Sequence, residues 1–375
     1  MGLVKAATPS PPQPRNVTIE VAGPPQTVFS WAKDRCEDLD IPDLSARAFR
    51  DAQGRVQLIA AHYINRRFIG PDFDHLTRDC SVILRSDFNP DPSAYDDHEW
   101  IGATYTTDGH TVYALVHDEY QGFDHPGQCT NFSDVGWCLQ TSLTFAVSTD
   151  GGNTYQHATP PALVAGFPLR YVPDVGNAGA RDPSNIVHNA RDGYYYAFVN
   201  VVQGKPGQPL AINRDCLIRT KDLSDPSSWR AWSGATSFDT TFIDPYRSTA
   251  DPADHLCAAV APDVVDSALG SLTYSTYARQ WILVEVNGGG FYYSLSPDLI
   301  HWTGRNLFYP AIVPWTYTCG GPDPVHYPSL IDPNSTSRNF DTMGKTAYLY
   351  FTQFHTEGCN QGLNRDLVRV PIVLK

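Results

Sequence analysis

The chain has 375 residues and a formal net charge of −13, with 30 prolines, 28 glycines and 20 tyrosines against 2 methionines. The acidic balance excludes a nucleic-acid partner, because neutralising phosphates requires a basic face. The composition also excludes a mainly helical protein, since it describes many short strands and long loops, and no transmembrane run is present.

Residues 1–16, with Pro9, Pro11, Pro12 and Pro14, read as a disordered leader; Met1 to Ala7 has no hydrophobic signal core, so a mature chain is expected. From 17 to 375 a single domain is expected, because one pattern recurs. An x-Pro-Ser step (Asp182-Pro183-Ser184, Tyr327-Pro328-Ser329) leads into an apolar run, a turn rich in Asp, Asn or Gly, and an aromatic second run. The hairpin turns are Gln53-Gly54, Asp108-Gly109, Asp192-Gly193, Ala278-Arg279-Gln280 and Asp332 to Gly344. Polar endings at Ser86, Ser148, Thr220 and Ser296 are 62, 72 and 76 residues apart, the spacing of four-stranded blades with decorated loops. The fold class expected is therefore all-β, a five-bladed β-propeller. Its blades fall at about 38–100, 98–160, 178–235, 255–305 and 323–375, with Val17 to Phe29 or Val368 to Leu374 closing the ring.

In such a ring the innermost strands line one funnel, so polar groups at their starts converge. Asp43 precedes the first inner strand and Arg47, His98-Glu99-Trp100 opens the second, and Arg181-Asp182 opens the third. His255 precedes the fourth, and His326 and Tyr327 open the fifth. Only six acids are Glu and the other 34 are Asp, most of them expected in turns, so an interior Glu carries weight. Hydrolysis of a glycosidic bond needs two carboxyl groups, one kept protonated and one ionised. Asp43 is the expected base or nucleophile, with Asp182 orienting the sugar or tuning the acid beside Arg181. The acid is Glu99 or Glu119, with buried Glu285 third; His117 shares a strand face with Glu119 as its tuner. Arg47, Trp100, His117, Arg181, His255, His326 and Tyr327 are expected to contact the substrate. No cofactor and no zinc pattern is seen; the Asp excess leaves a structural calcium as the metal to consider.

These blade patterns, with Tyr292 to Trp302 as one blade ending, resemble the five-bladed propeller glycosidases of the arabinanase, xylosidase and invertase group. Arg181-Asp182-Pro183 is similar to the Arg-Asp-Pro of the invertase branch, which implies a transition-state-stabilising role for Asp182, and Asp43 resembles the first-blade carboxylate by position. The invertase Asn-Asp-Pro-Asn signature and Glu-Cys pair are absent, which leaves the acid open. The group implies an inverting hydrolase; the long loops of the chain bear Asp and are not basic, so the substrate expected is a neutral oligo- or polysaccharide, and a monomer away from membranes is expected. Ser148 to Tyr155 matches the sialidase-type Asp box, and Arg47 and Arg181 could supply two of the three arginines a sialidase needs. A sugar-binding propeller without catalysis is the third reading.

Eight cysteines, in loops or near strand ends, read as disulfides and hence as a secreted or periplasmic protein. Cys129 with Cys138 is the expected pair, and Cys36 with Cys80, Cys216 with Cys257 and Cys319 with Cys359 are plausible ones. Loops Gly122 to Leu139 and Trp232 to Cys257 should wall the funnel, favouring exo action or a short cleft.

Overall fold

A computed structural model that describes residues 13–375 has four hydrogen-bonded sheets, of four, nine, five and five strands. The nine-stranded one holds two blades, joined by a parallel pairing of Gly176–Arg181 with Cys138–Ser148, so that five mainly antiparallel blades follow one another along the chain. The first blade is Arg47–Arg50, Val56–Ile59, Ile64–Gly70 and Thr77–Arg85. The second is His98–Tyr105, Val112–Gln121, Cys138–Ser148 and Ala162–Gly166. In the third the inner strand is split into Gly176–Arg181 and Val187–Asn189, ahead of Tyr194–Gly204, Ile212–Thr220 and Arg230–Ala231. Ala268–Ser275, Gln280–Asn287, Gly290–Ser296 and Asn306–Pro310 make the fourth. The fifth has Val325–Ile331, Thr346–Phe354 and Arg365–Leu374 from one part of the chain, and takes its outer edge from Ile19–Val21 and Gln26–Phe29. The two segments expected at the seam, Val17 to Phe29 and Val368 to Leu374, pair with each other in this sheet.

The hairpin turns lie where the sequence places them. Gly54, Gly109 and Gly193 adopt φ of 81°, 79° and 72°, the left-handed region that glycine enters without strain. Boundaries shift at the long loops: the second blade runs on to Gly166 and the fourth starts only at Ala268. The segment before it carries one short 3-10 turn, Pro252–His255. Residues 1–12 of the expected leader lie outside the described residues. Arg15, also in that range, is bonded to the fourth blade through Ala278 and Gln280.

Apolar packing lies between blades, since each sheet buries both faces against its neighbours. Among the described residues there are five clusters, one for each adjacent pair. Phe49, Ile59 and Ile101 join the first and second blades, and Leu115, Leu143 and Val199 the second and third. Phe198, Leu217 and Leu283 join the third and fourth, and Val284, Phe291 and Leu349 the fourth and fifth. Phe68, Ile331 and Tyr350 join the fifth to the first.

Arg47 holds the axis. Its Nε donates to Gly102 O at 2.9 Å, and Nη2 to Pro183 O at 2.7 Å and Gly270 O at 2.9 Å. Nη1 lies 3.4 Å from Ser329 Oγ, so one guanidinium reaches the inner strands of all four other blades. Burial pushes its pKa down to about 9, against the opposing pull of Asp182. Gly102 and Gly270 let neighbouring inner strands approach closely: a Cβ on Gly102 would meet Pro183 Cγ at 2.5 Å, and one on Gly270 would meet Pro328 O at 2.6 Å.

All four cysteine pairings named from the sequence are formed: Cys36–Cys80, Cys129–Cys138, Cys216–Cys257 and Cys319–Cys359. Among the described residues no helix is long and apolar enough to cross a membrane.

Candidate active site

A cavity of about 270 Å³ opens where the inner strands begin, lined by Asp43, Leu44, His62, Tyr63, Trp100, His117, Glu119, Gln121, Asp182 and Tyr327. Its three carboxyl groups come from three different blades.

Asp43 sits in the segment leading to the first inner strand, fixed by Thr352 Oγ1 donating to Pro42 O at 3.2 Å. Its carboxylate is ion-paired with Arg365, accepts from the Tyr327 hydroxyl at 3.3 Å and lies 3.8 Å from His62 Nε2. Burial pushes the His62 pKa down to about 4 even though Asp43 pulls it up, so the ring is neutral at neutral pH.

Glu119 and His117 lie on one face near the end of Val112–Gln121, as period-two alternation dictates. His117 Nε2 is 3.0 Å from Glu119 Oε1, and Gln121 Nε2 donates to Oε2 at 2.7 Å. Burial alone would push the Glu119 carboxyl up, but the hydrogen bond and charge of His117, with Gln121, outweigh it and hold it below its ordinary value. Burial alone would push His117 down, but Glu119 and the charge of Asp182 raise it above its ordinary value. The two shifts run in opposite directions, and each is held by the other partner of the couple.

Asp182 occupies the break in the third blade's inner strand, with φ of 49°, and Tyr327 takes the same conformation at φ of 57°. Each precedes the proline of an x-Pro-Ser step, so the sequence repeat is also a repeat of backbone geometry. A left-handed non-glycine residue costs of order 1 kcal/mol and is retained where the surroundings enforce it. Here Ser184 Oγ accepts from Phe198 N at 2.9 Å, and Ser329 Oγ donates to Ala46 O at 2.8 Å. Trp100 and Tyr63, edge to face at 5.4 Å, form an aromatic wall.

Asp43, Trp100, His117, Glu119, Asp182 and Tyr327 are thus brought together, and other sequence candidates are not. Glu99 is fully buried, faces His157 at 3.4 Å between blades, and has its pKa raised by burial. Strand alternation explains this, because Trp100 next to it faces the cavity. Arg47 is committed to backbone carbonyls on the axis. Arg181 does not line the cavity, but its Nε, which donates to Asn200 Oδ1 at 3.1 Å, also lies 3.7 Å from Asp182 Oδ2, the expected partner; His255 Nδ1 bonds Thr241 O at 2.7 Å away from the cavity. Arg47 and Arg181, the two arginines a sialidase reading named, do not line the cavity, whereas Arg365 pairs with Asp43 at its edge. The Asp box is a turn: Asp150 accepts from Asn153 N and Thr154 N at 3.0 Å, and Arg67 and Gln57 of the first blade bind Gly152 O and Gly151 O. His326 lines a smaller space beneath Tyr327 and Asp182; burial holds its pKa at about 4.

His62, Tyr63, Gln121 and Arg365 escaped the sequence reading. His62 and Tyr63 follow the second strand of the first blade, close to the place of His117 and Glu119 in the second blade, so blade equivalence was the available signal. Arg365 opens a strand after an irregular loop and carries no local mark.

One group of metal-ligand residue types comes together among the described residues, Cys129, Cys138 and Asp174; the two cysteines are disulfide-bonded to each other and offer no thiolate. The turn aspartates hold backbone N–H groups, as Asp108 does for His110 and Thr111 at 2.8 Å.

No protein-family model and no curated protein matches the chain. Among solved structures it is similar to a GH62 hydrolase in complex with xylotriose, at 9% identity and TM-score 0.47, covering 92% of this chain and 95% of that one. It is similar to an endo-arabinase from Bacteroides thetaiotaomicron at 12% identity and TM-score 0.45, covering 90% and 97%. A xylan beta-1,4-xylosidase from Bacillus halodurans aligns at 12% identity and TM-score 0.46, over 90% of this chain and 54% of that one.

Proposed function

We propose that the protein is a secreted glycoside hydrolase that cleaves a neutral glycosidic bond. The observation that carries this reading is the convergence of Asp43, Glu119 and Asp182 on one cavity walled by Trp100 and Tyr63. Aromatic faces suit the apolar face of a sugar ring, and paired carboxyl groups suit acid and base work on either side of its anomeric carbon.

In this reading Asp43 is the base: it takes a proton from a water that attacks the anomeric carbon. The His117–Glu119 couple gives a proton to the departing oxygen and is left as a neutral imidazole beside a carboxylate. Proton return from Asp43 through solvent resets the site. Asp182 lies against the developing positive charge of the sugar ring, and a water between base and sugar gives inversion. The four disulfides and acidic balance support an oxidising compartment and a neutral substrate.

The test is a screen of aryl glycosides, arabinans, fructans, xylans and sialosides with wild type, Asp43→Asn and Glu119→Gln. Each variant should lose about 10²–10⁴-fold in turnover while retaining sugar binding and thermal stability. Unchanged turnover in both would reject these roles. Sugar binding by a wild type that cleaves none of the panel would make the protein a lectin-like propeller.

A further inference from the structure

Trp315 is 56% exposed, whereas Trp100, Trp229, Trp232 and Trp281 are at 8% or less. A large aromatic ring left in water on a rigid support is a binding platform in waiting. The support is rigid. Trp315 stands in the loop between the fourth and fifth blades, where Val313 N donates to Thr316 Oγ1 at 3.2 Å and Gln361 Nε2 to Pro314 O at 2.8 Å. Tyr317 OH donates to Thr356 Oγ1 at 3.1 Å, and Cys319–Cys359 ties the loop to the segment before Arg365.

The ring also points somewhere. It meets His326 edge to face at 5.2 Å, His326 meets Tyr327 at 4.2 Å, and the Tyr327 hydroxyl is 3.3 Å from Asp43. Three rings in succession therefore connect the exposed tryptophan with the carboxylate in the cavity.

We propose that Trp315 is the stacking wall of a second sugar position, so that the ligand is a neutral glycan of at least two units running from the cavity over this ring. The inference rests on the reading of the cavity as a sugar site. Neutrality follows from the net charge of −13 and the three carboxyl groups, which repel a polyanion.

The test measures binding separately from cleavage. Acrylamide quenching of tryptophan fluorescence and calorimetric Kd values are recorded for wild type, Trp315→Ala and Trp315→Phe with xylose, arabinose, xylotriose, arabinotriose and mannotriose. A triose should reduce quenching more in the wild type than in Trp315→Ala, where the partly exposed Trp31, Trp137 and Trp302 remain. Trp315→Ala should weaken triose binding about two- to tenfold and leave monosaccharide binding unchanged, while Trp315→Phe keeps most of the affinity. Equal triose affinity in wild type and Trp315→Ala, or no binding of any triose, overturns the proposal. So does shielding that rises with protein concentration without sugar, which assigns the ring to a second copy of the chain. Triose binding of the expected kind without turnover of any glycoside keeps the platform and rejects the hydrolase. Turnover with Trp315→Ala indistinguishable from wild type on trioses does the reverse.

Discussion

Replacing Arg47 by methionine tests whether one buried guanidinium holds the blades in register. Burial lowers its pKa to about 9 even against the pull of Asp182, so the charged guanidinium carries a desolvation penalty, of order several kcal/mol for a buried ion. Its three short bonds, to Gly102 O, Pro183 O and Gly270 O, contribute about 1.5–3 kcal/mol each and offset that penalty. Methionine removes penalty and bonds together but leaves three carbonyls dry, at about 1–3 kcal/mol each. The expected net loss is at least about 3 kcal/mol, in line with breaking other buried charge networks. Arg47→Lys keeps the charge without the fork and should fall between. Guanidinium-chloride unfolding followed by both tryptophan fluorescence and far-UV circular dichroism measures the difference. A loss under about 1 kcal/mol for methionine, or lysine as stable as wild type, would show that the axis is held by sheet packing and not by this side chain.

Gly270→Ala places a Cβ 2.6 Å from Pro328 O and 2.8 Å from Val284 O, and should destabilise by about 1–3 kcal/mol in the same assay. Glu285 is fully buried with its pKa well above the ordinary value, first through burial and then through Asp215, itself raised to about 7. A carboxyl raised in the folded state binds more protons there than when unfolded, so stability falls as pH rises from 4.5 through the folded value; Glu285→Gln should flatten that slope, read from unfolding at several pH values. His117 is raised by Glu119, so kcat/KM should fall as pH rises through its titration, and His117→Asn should lower the plateau about 10²–10⁴-fold and abolish that alkaline limb in a pH–rate profile.

The ring was legible because its turns are chemical. Gly54, Gly109 and Gly193 mark hairpins whatever surrounds them, and the two x-Pro-Ser steps mark two positions where a side chain is swung into the funnel. Glu99 misled because strand starts were read as points and not as alternating faces: Trp100 at the cavity already consigns Glu99 to the other side. The partners of Arg47 are backbone carbonyls at 102, 183 and 270, which no side-chain pattern reveals. The protonation of the His117–Glu119 couple depends on burial from several blades and on Asp182, and spacing alone does not carry it.

The outer edge of the fifth blade has a consequence for biosynthesis. Arg369 Nε donates to Gln26 Oε1 across 343 positions, and Ile19 pairs with Leu374. Ile19–Val21 and Gln26–Phe29 leave the ribosome ahead of all five blades and must wait, with unpaired backbone, until Arg365–Leu374 has been made. Pairing of such high contact order is slow, and an unpaired edge is a template for association with other chains. A nascent chain of this protein therefore passes through a long interval in which four blades have formed and the ring is still open, and that interval is where chaperones and aggregation compete for it.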